Sequence, residues 1–412
     1  MANRRLTTLL IHGKHSVREL HGETVPPVSF SAAFEHASAE DLEAVFAGKQ
    51  EGFLYSRLQN PTVQLLEQRI TEVCQGQGAL AVATGMSAIT LGLLGLAQAG
   101  DEIIAGNQLF GGTFTLLNRT LPALGITTHF VPPHSPEGLD GLVKPNTRAV
   151  LLEAIANPAM TVPDFAQWRA FCQRHNLPLL IDATLITPCR FDNSKLGAAL
   201  AFFSSTKYIA GAASTMGGLV VDTGAYDWLA NKSLPLADFR KFGPQAFLAK
   251  LRRQMMADIG PVLSPMAAFL QMTGLESLDL RFERQCQNAQ EVARFLAQHP
   301  KVRQVLHPSL PAHPSHALAQ AQYGCFGGLM AFLLEDKAQC FRFLNALGLI
   351  LRATNLGDSK TLALHPASTI YAGYWPHELE QVGVSESMIR LSVGLEDVRD
   401  LLEDLGQALE KV

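Results

Sequence analysis

The sequence has no excess of positive charge. Its 33 Lys and Arg residues are outnumbered by 37 Asp and Glu residues, so the formal net charge is −4 at pH 7. A protein that binds nucleic acid needs clustered basic residues to contact the phosphates, and no basic block occurs in this chain. The charge balance therefore argues against a nucleic-acid partner and favours small molecules.

Long apolar segments are also absent. The richest one, ITLGLLGLAQAG at 89–100, contains several glycines and is shorter than the roughly 20 residues of a membrane-spanning helix. Near the start of the chain, His12, Lys14 and His15 interrupt the apolar residues before a signal-peptide core is complete. We therefore expect neither a membrane segment nor secretion.

Cysteine is scarce and scattered. The chain has 6 cysteines with no C-x-x-C pair, which fits reduced thiols better than a disulfide framework or a zinc site. This pattern predicts a cytoplasmic protein. With 412 residues, of which 47% are hydrophobic and 17% charged, the chain can bury a large core as a globular protein.

The apolar residues that are present alternate between strand-like and helix-like segments. Residues 62–74 and 85–98 have apolar side chains at helical spacing. A series of short apolar segments is typical of buried strands, and most are separated by enough residues for a crossover helix. They are ALAVA (79–83), DEIIAG (101–106), ITTHFV (126–131), TRAVLLEAI (147–155), LPLLIDA (177–183), AALAFFSS (198–205) and GGLVVD (217–222). The pattern predicts an α/β fold with a mostly parallel sheet and helices on both faces.

The alternation changes from about residue 255. Residues 266–296 have the pattern of one long helix, and GGLMAFLLE (327–335) and MIRLSVGLE (388–396) are strand candidates. Polar loops that contain Pro and His separate them. These segments predict a smaller C-terminal α+β domain.

A lysine and an aspartate follow two of the apolar segments. Lys207 comes soon after AFFSS, where a lysine is most often a surface residue with its ammonium group in water. Asp182 ends LLID, where a buried carboxylate needs a cation, strong donors or a helix to cap. The alternative to these structural roles is a pyridoxal phosphate (PLP) site, in which a lysine forms a Schiff base and an aspartate keeps the pyridine nitrogen protonated.

Donors for a phosphate are available in the sequence. Ser204 and Thr206 flank Lys207, so their hydroxyl groups can lie at the same end of the sheet. Gly85 and Met86 begin a predicted helix, whose first backbone N–H groups can contact an anion, although glycine before a helix is common. No P-loop, H-E-x-x-H or G-x-S-x-G motif competes with this interpretation.

Several short segments carry a resemblance to a known family. They are YSRLQNPT (55–62), ATGMSAI (83–89), LFGGTF (109–114), SSTKY (204–208) and IRLSVGLE (389–396). The chain resembles the Cys/Met-metabolism family of PLP enzymes from about residue 6 to its end. ATNLGDSKTLALHPAST (353–369) and TGLESLDLR (273–281) are most similar to the O-acetylhomoserine sulfhydrylases of that family, because the lyases more often have serine where Asn355 stands.

The resemblance implies roles for the residues that bind the cofactor. Lys207 would form the Schiff base and later carry protons, and Asp182 would pair with the pyridinium. Asn157, in EAIANP, would hydrogen-bond the phenolic oxygen of the cofactor, where the ordinary role of Asn-Pro is to form a turn. The expected phosphate contacts are Gly85, Met86, Ser204 and Thr206, together with Tyr55 and Arg57 reaching across a dimer.

The resemblance also implies how the substrate and the subunits are arranged. Arg390 would bind the substrate α-carboxylate with help from Asn355, where a surface salt bridge is the ordinary role of an arginine. The fold would be PLP-dependent transferase fold type I. Residues 1–60 would be an N-terminal arm that contributes to the neighbouring subunit's site, 61–255 the large PLP-binding α/β domain, and 256–412 the C-terminal α+β domain. The protein would be a homo-oligomer, a dimer of active dimers, and an isolated subunit nearly inactive.

Three positions depart from the family pattern. Phe110 replaces a tyrosine that stacks on the cofactor and has a proton-transfer role in lyases. Phenylalanine keeps the stacking and loses the hydroxyl group, which mildly disfavours an efficient γ-lyase. Ala183 stands where Asn is usual and Ala212 where His is common, and we expect these changes to leave cofactor binding intact.

The reaction implied by the resemblance is γ-replacement on an activated homoserine ester, a step of methionine biosynthesis. O-acetyl-L-homoserine would lose protons from Cα and Cβ, expel acetate and add sulfide or a thiol at Cγ; sulfide would give L-homocysteine. The enzyme alternatives are a γ-lyase that releases 2-oxobutyrate and ammonia, like methionine γ-lyase, and a cystathionine γ-synthase. A non-enzymatic scaffold with a vestigial site would leave Lys207, Asp182 and Arg390 unexplained together.

Overall fold

The computed structural model describes residues 4–13 and 22–412. Within these residues the chain forms a sheet of seven strands and a sheet of five. The strands of the larger sheet are β1 (Gly78–Val82), β2 (Glu102–Gly106), β3 (Thr127–Val131), β4 (Thr147–Glu153), β5 (Leu179–Asp182), β6 (Leu200–Phe203) and β7 (Gly218–Asp222). The strands of the smaller sheet are β8 (Gln304–Leu306), β9 (Leu329–Leu333), β10 (Leu351–Arg352), β11 (Leu362–Leu364) and β12 (Met388–Ser392).

Helices precede, connect and follow these strands. Those up to β7 are α1 (Leu6–His12), α2 (Ala39–Phe46), α3 (Pro61–Val73), α4 (Gly85–Leu96), α5 (Gly111–Thr115), α6 (Leu121–Ala123), α7 (Phe165–Arg174), α8 (Thr187–Arg190) and α9 (Asn193–Leu196). The later ones are α10 (Ala246–Lys250), α11 (Ala257–Ile259), α12 (Pro265–Glu276), α13 (Leu278–Gln298), α14 (His316–Tyr323), α15 (Lys337–Ala346), α16 (Pro376–Gln381) and α17 (Val398–Glu410). In addition, 3₁₀ segments span Asp140–Leu142 and Ala237–Gln245, the second with a kink at Gly243. π-Helical segments span Leu116–Thr120 and Leu251–Met256.

The larger sheet is mostly parallel, as the sequence predicts. Its strand order is β1-β7-β6-β5-β4-β2-β3. β3, β2, β4, β5 and β6 pair in parallel, whereas β7 is antiparallel to both β6 and β1. β1 therefore points in the same direction as β6. The carboxyl ends of β1, β2, β4, β5 and β6 consequently meet at one edge of the sheet.

Helices cover both faces of the larger sheet, which confirms the predicted packing. Successive strand residues point to opposite faces. Ala81 and Ile104 lie in an apolar cluster that also contains α3 residues, whereas Leu80 and Ile103 lie in a second cluster with α4 residues. Each face of the sheet thus has its own core.

Local sequence explains where the helices nearest the candidate site begin. The Asn60 side chain accepts a hydrogen bond from the Thr62 backbone N–H at 3.0 Å, and Pro61 occupies the first position of α3. The Thr84 hydroxyl accepts from the Ser87 backbone N–H at 3.0 Å and caps α4. The first turn of α4 is therefore fixed directly after β1.

In the smaller sheet, the Arg390 side chain points away from the apolar cluster on which the sheet packs. β12 lies between β11 and β9 and is antiparallel to both. Ile389 and Leu391 of β12 belong to an apolar cluster with residues of α13 and α17. Because side chains alternate along a strand, Arg390 points to the opposite face of this sheet, where it lines the cavity described below.

The structure differs from the sequence prediction in several elements. Residues 266–296 do not form one helix, because Ser277 (φ −106°, ψ 4°) separates α12 from α13. β3 is an edge strand and only partly buried, although its segment reads as a buried strand. The short strands β8, β10 and β11 were not predicted. The domain limits 61–255 and 256–412 stay predictions.

Within residues 4–13 and 22–412, no helix is long and apolar enough to cross a membrane.

Candidate active site

A cavity of about 350 Å³ opens where the carboxyl ends of the strands meet. Most of the residues predicted for a PLP site line it: Gly85, Met86, Phe110, Asn157, Asp182, Ser204, Thr206, Lys207 and Arg390. Asn355 contacts the Lys207 side chain, whereas Tyr55 and Arg57 are not among the lining residues. The fold thus gathers residues that are separated by up to several hundred positions in the sequence.

Lys207 places its amine in this cavity. It follows β6 in a single turn, in which the Gly211 backbone N–H donates to the Lys207 carbonyl at 2.8 Å. Its Nζ donates to Asn355 Oδ1 at 2.8 Å. Burial, together with the positive charge of Arg390, lowers the pKa of Lys207 to about 8. A substantial fraction of the amine is therefore neutral, and hence nucleophilic, near neutral pH.

Asp182 is a partly buried carboxylate at the end of β5. Its Oδ1 accepts a hydrogen bond from the Thr184 backbone N–H at 3.0 Å. Burial raises its pKa, and hydrogen bonds from Thr184 act in the opposite direction. Within the described part of the chain, no Lys, Arg or His forms an ion pair with it. The carboxylate is available to a cationic ligand nitrogen.

Glu153 stands beside Asp182, and the sequence analysis assigned it no role. It ends β4, directly opposite Asp182 in the parallel pair. Its two carboxyl oxygens accept from the backbone N–H groups of Phe110 at 2.6 Å and Asn157 at 3.1 Å. Burial and the nearby Asp182 charge raise the pKa of Glu153 well above its usual value. Its position at the end of an apolar strand, like that of Asp182, is the feature of the sequence that could have identified it as a site residue.

The start of α4 forms an anion cradle. Gly85 is required there, because a Cβ at this position would lie 2.6 Å from the Cβ of Ser204. Within residues 4–13 and 22–412, the Ser204 hydroxyl makes no hydrogen bond, so it is available to a ligand. The Thr206 hydroxyl instead donates to the Gly217 carbonyl at 3.2 Å and accepts from the Gly217 N–H at 3.0 Å. Of the two hydroxyls, Ser204 is the better placed donor.

Arg390 is a buried cation without a carboxylate. Its side chain is 2% exposed, and its Nη2 donates to the carbonyls of Thr354 at 3.2 Å and Asn355 at 3.1 Å. Its Nη1 donates to Asn157 Oδ1 at 3.4 Å. Burial lowers the pKa of Arg390 to about 10, so the group remains charged at neutral pH. The guanidinium lacks an anionic partner among the described residues and can accept a substrate carboxylate.

Tyr55 and Arg57 lie apart from the cavity of their own chain. Both are exposed, and Tyr55 has 46% of its surface accessible. The Arg57 guanidinium lies 5.7 Å from the centre of the Tyr55 ring and donates to the Ala257 carbonyl. Their contact with a neighbouring subunit's phosphate site stays a prediction.

The three departures from the family pattern have different surroundings. Phe110 lines the cavity. Ala183 is fully buried beside Asp182, and Ala212 is exposed in the loop that follows Lys207, but neither lines the cavity. Sequence reasoning also missed several lining residues: Thr184, Leu185, Met216, Thr354 and Ile370.

The residues present fit PLP. Asp182 offers an unpaired carboxylate, Lys207 an amine of lowered pKa, and the α4 terminus an anion cradle within one cavity. Its volume is within the range of cofactor sites, about 300 Å³ or more. In the described ranges, no cluster of His, Cys, Asp or Glu could hold a metal ion.

Comparison with known proteins agrees with this geometry. An L-methionine gamma-lyase of Pseudomonas putida is 38% identical over 98% of this chain and 96% of its own. An O-acetyl-L-homoserine sulfhydrylase of Leptospira meyeri is 34% identical over 98% of this chain and 96% of its own. A Campylobacter jejuni protein solved with N'-pyridoxyl-lysine-5'-monophosphate superposes with a TM-score of 0.95 at 30% identity, covering 99% of this chain and 100% of that one. The family described as Cys/Met metabolism PLP-dependent enzyme matches residues 7–410, and the chain belongs to it.

Proposed function

We propose that the chain catalyses γ-replacement on O-acetyl-L-homoserine, with sulfide as the nucleophile and L-homocysteine and acetate as the products. The observation that carries this proposal is the hydrogen bond from Lys207 Nζ to Asn355 Oδ1 at 2.8 Å. Asn355 occupies the position at which the sulfhydrylase motif differs from the lyase motif. A residue at a position where the lyases more often have serine therefore contacts the amine of Lys207.

The lysine supplies the proton transfers. When bound, PLP provides an electron sink that stabilises negative charge at the Cα and Cβ atoms of an amino acid. Lys207 has a pKa of about 8 and can hold or release a proton near neutral pH, which suits a group that serves as both base and acid. We assign to its Nζ the removal of protons from Cα and Cβ and their later return. Asp182 would keep the pyridine nitrogen protonated.

The remaining residues orient the substrate. The Arg390 guanidinium, held at the Thr354 and Asn355 carbonyls, would bind the α-carboxylate and thereby fix which Cα bond is broken. The Cγ–O bond then breaks with both electrons leaving on acetate, and a Cγ–S bond forms. Phe110 contributes an apolar ring without a hydroxyl group, so it adds no acid or base beside Lys207.

The site would be completed by a second subunit. Tyr55 and Arg57 are exposed and have no contact with the cavity of their own chain, as expected if they serve a neighbour's phosphate site. Val25 and Phe30, which precede them, are also exposed apolar residues, with Phe30 at 69%. This exposure supports an arm, assigned to residues 1–60, in a homo-oligomer built from active dimers. The domain limits 61–255 and 256–412 rest on the sequence pattern.

The cell compartment is part of the proposal. All 6 cysteines are free thiols, and all except Cys325 are buried. Free thiols are usual in reducing compartments, so we assign the protein to the cytoplasm.

A γ-lyase is the second candidate, and the 38% identical L-methionine gamma-lyase favours it. The two reactions share the removal of the Cα and Cβ protons and the loss of the γ-substituent. They differ in the next step: in γ-replacement a thiol adds to Cγ, whereas in the lyase reaction Cγ is protonated and water hydrolyses the released enamine to 2-oxobutyrate and ammonia. Lys207 and Asp182 therefore do not discriminate between the two reactions.

A product assay tests the proposal. The purified holoenzyme would be incubated with O-acetyl-, O-succinyl- or O-phosphohomoserine, each with sulfide, with cysteine or without a nucleophile. We expect homocysteine from the acetyl ester with sulfide and little 2-oxobutyrate. Cystathionine from the succinyl or phosphoryl ester, or 2-oxobutyrate that is unaffected by sulfide, would contradict the proposal. The Lys207→Ala variant controls for uncatalysed ester chemistry, and absence of every product would favour a vestigial site.

A further inference from the structure

Two buried side chains join the same pair of loops beside the cavity. Glu153 accepts hydrogen bonds from the backbone N–H groups of Phe110 at 2.6 Å and Asn157 at 3.1 Å. The Tyr371 hydroxyl lies within hydrogen-bonding distance of two carbonyls, those of Asn157 at 2.9 Å and Leu109 at 3.2 Å. The loop at 109–110 and the loop at 157 are therefore tied together through both their donors and their acceptors.

Both side chains that make these hydrogen bonds are buried. Glu153 is 7% exposed and Tyr371 is 1% exposed, so water cannot replace the hydrogen bonds that they make. A Cβ at Gly111 would lie 3.2 Å from Tyr371 Cε1, so the ring also packs closely against the residue after Phe110. The Tyr374 hydroxyl adds a 2.5 Å contact with the Gly111 carbonyl. The segment that contains Tyr371 thus holds the start of α5 in place.

The two joined loops carry side chains that face the cavity. Phe110 and Asn157 both line it, and Asn157 Oδ1 accepts from Arg390 Nη1 at 3.4 Å. This contact turns the Asn157 amide so that its Nδ2 is the group left to donate to a ligand oxygen. A shift of either loop would move the Phe110 ring and the Asn157 amide relative to Lys207.

We propose that Glu153 and Tyr371 act as a clamp that positions Phe110 and Asn157 for the cofactor, without contacting the reacting atoms themselves. This inference rests on the proposed PLP site. It predicts that loss of the Tyr371 hydroxyl disturbs the cofactor site more than loss of a comparable buried hydroxyl elsewhere.

Tyr323 provides the matched control. Its hydroxyl is also buried and donates to a backbone carbonyl near the end of β4, that of Ala154 at 2.6 Å. Among the described residues, its hydroxyl makes no hydrogen bond with residues 109–110 or 157. Tyr323→Phe and Tyr371→Phe therefore remove the same group from similar surroundings, and only Tyr371→Phe opens the clamp.

The experiment compares these variants in the full-length protein with and without PLP. For Tyr371→Phe we expect about fivefold weaker PLP binding, as for the loss of one buried hydrogen bond, and a shifted visible absorption band. Faster hydrogen exchange at the backbone amides of Phe110 and Asn157 should accompany it. Tyr323→Phe should lower thermal stability without changing PLP affinity or the absorption band. Equal PLP affinity and equal amide exchange in the two variants would overturn the proposal.

A second variant keeps the test informative if Tyr371→Phe folds poorly. Glu153→Gln preserves the side-chain shape but places an NH₂ group against one of the two backbone N–H donors. Glu153→Gln should weaken PLP binding. In the double variant with Tyr371→Phe, the fold-loss of PLP affinity should be smaller than the product of the two single fold-losses, because both changes release the same loops. Fully multiplicative losses would contradict a shared clamp. Amide exchange does not depend on the reaction, so a failed product assay would leave this result interpretable.

Discussion

The reactivity of Lys207 should depend on Arg390. Burial is the larger cause of the lowered Lys207 pKa, and the Arg390 charge is the second. At about pH 7.5, a pKa near 8 leaves roughly a quarter of the amine neutral, about two hundred times more than the ordinary value allows. Replacing Arg390 by methionine removes the charge and keeps much of the volume. We therefore expect the Lys207 pKa in Arg390→Met to rise above 8 but to stay nearer to 8 than to 10.5.

The assay follows the reaction of the apoprotein with PLP. Only the neutral amine attacks the aldehyde carbon, so the initial rate at which the visible band appears reports the neutral fraction. Rates would be measured from about pH 6 to about pH 10 for the wild type and Arg390→Met. Borohydride reduction followed by peptide mapping identifies the lysine that reacted.

Lys250 is an internal control for this experiment. Burial lowers its pKa to about 8 as well, but it lies on α10 outside the cavity and donates to the Pro235 carbonyl at 2.8 Å. Borohydride should therefore label Lys207 and leave Lys250 unmodified. A label on Lys250, or identical rate profiles for the wild type and Arg390→Met, would refute the argument that the cavity and its arginine together activate Lys207.

Three further predictions follow from other residues. Phe110→Tyr should raise the ratio of 2-oxobutyrate to homocysteine, because a positioned hydroxyl acid or base typically changes a rate by ~10² or more. Equal product ratios for the wild type and Phe110→Tyr, measured with and without sulfide, would show that this position does not decide between replacement and elimination. Mixing Arg57→Ala with Lys207→Ala subunits should restore part of the activity if the site is shared, and no rescue after demonstrated subunit exchange would count against sharing. Burial raises the pKa of Asp222 to about 6 although it accepts from Trp228 Nε1 at 2.8 Å, so the folded state holds an extra proton between the unfolded and folded pKa values. Its stabilising contribution is present at low pH and is lost as the pH rises through 6. The free energy of unfolding of the wild type, relative to that of Asp222→Asn, should therefore fall by about 3 kcal/mol from acid to neutral pH. A difference that stays constant across this pH range in denaturant titrations would contradict this.

Residues at the ends of apolar strands were the most predictable part of the site. Asp182 and Lys207 stand out because a charged group directly after an apolar strand needs a reason, and the structure places both in the cavity. The strands themselves were recognisable from runs of apolar residues such as LLID. Such signals are local, so a single sequence is enough to find them.

Residues that act through distant partners were not predictable. Tyr371 reaches Leu109 across 262 positions and Asn157 across 214, and no local pattern encodes such contacts. The break at Ser277 was missed for a related reason, since neither Gly nor Pro marks it and the apolar pattern continues through it. β10 has only two residues, which is too short for an alternating pattern to emerge.

Because the strand ends meet at one edge of the sheet, the chemistry of the cavity can change in evolution separately from the core. The side chains that line the cavity come mainly from the ends of strands and from the connections that follow them, whereas the apolar clusters occupy the two faces of the sheet. A substitution in a connection can therefore alter chemistry while leaving the packing that stabilises the fold. Relatives named as lyases and as sulfhydrylases align with nearly the whole chain at 38% and 34% identity. Their shared length fits a scaffold that can carry more than one reaction.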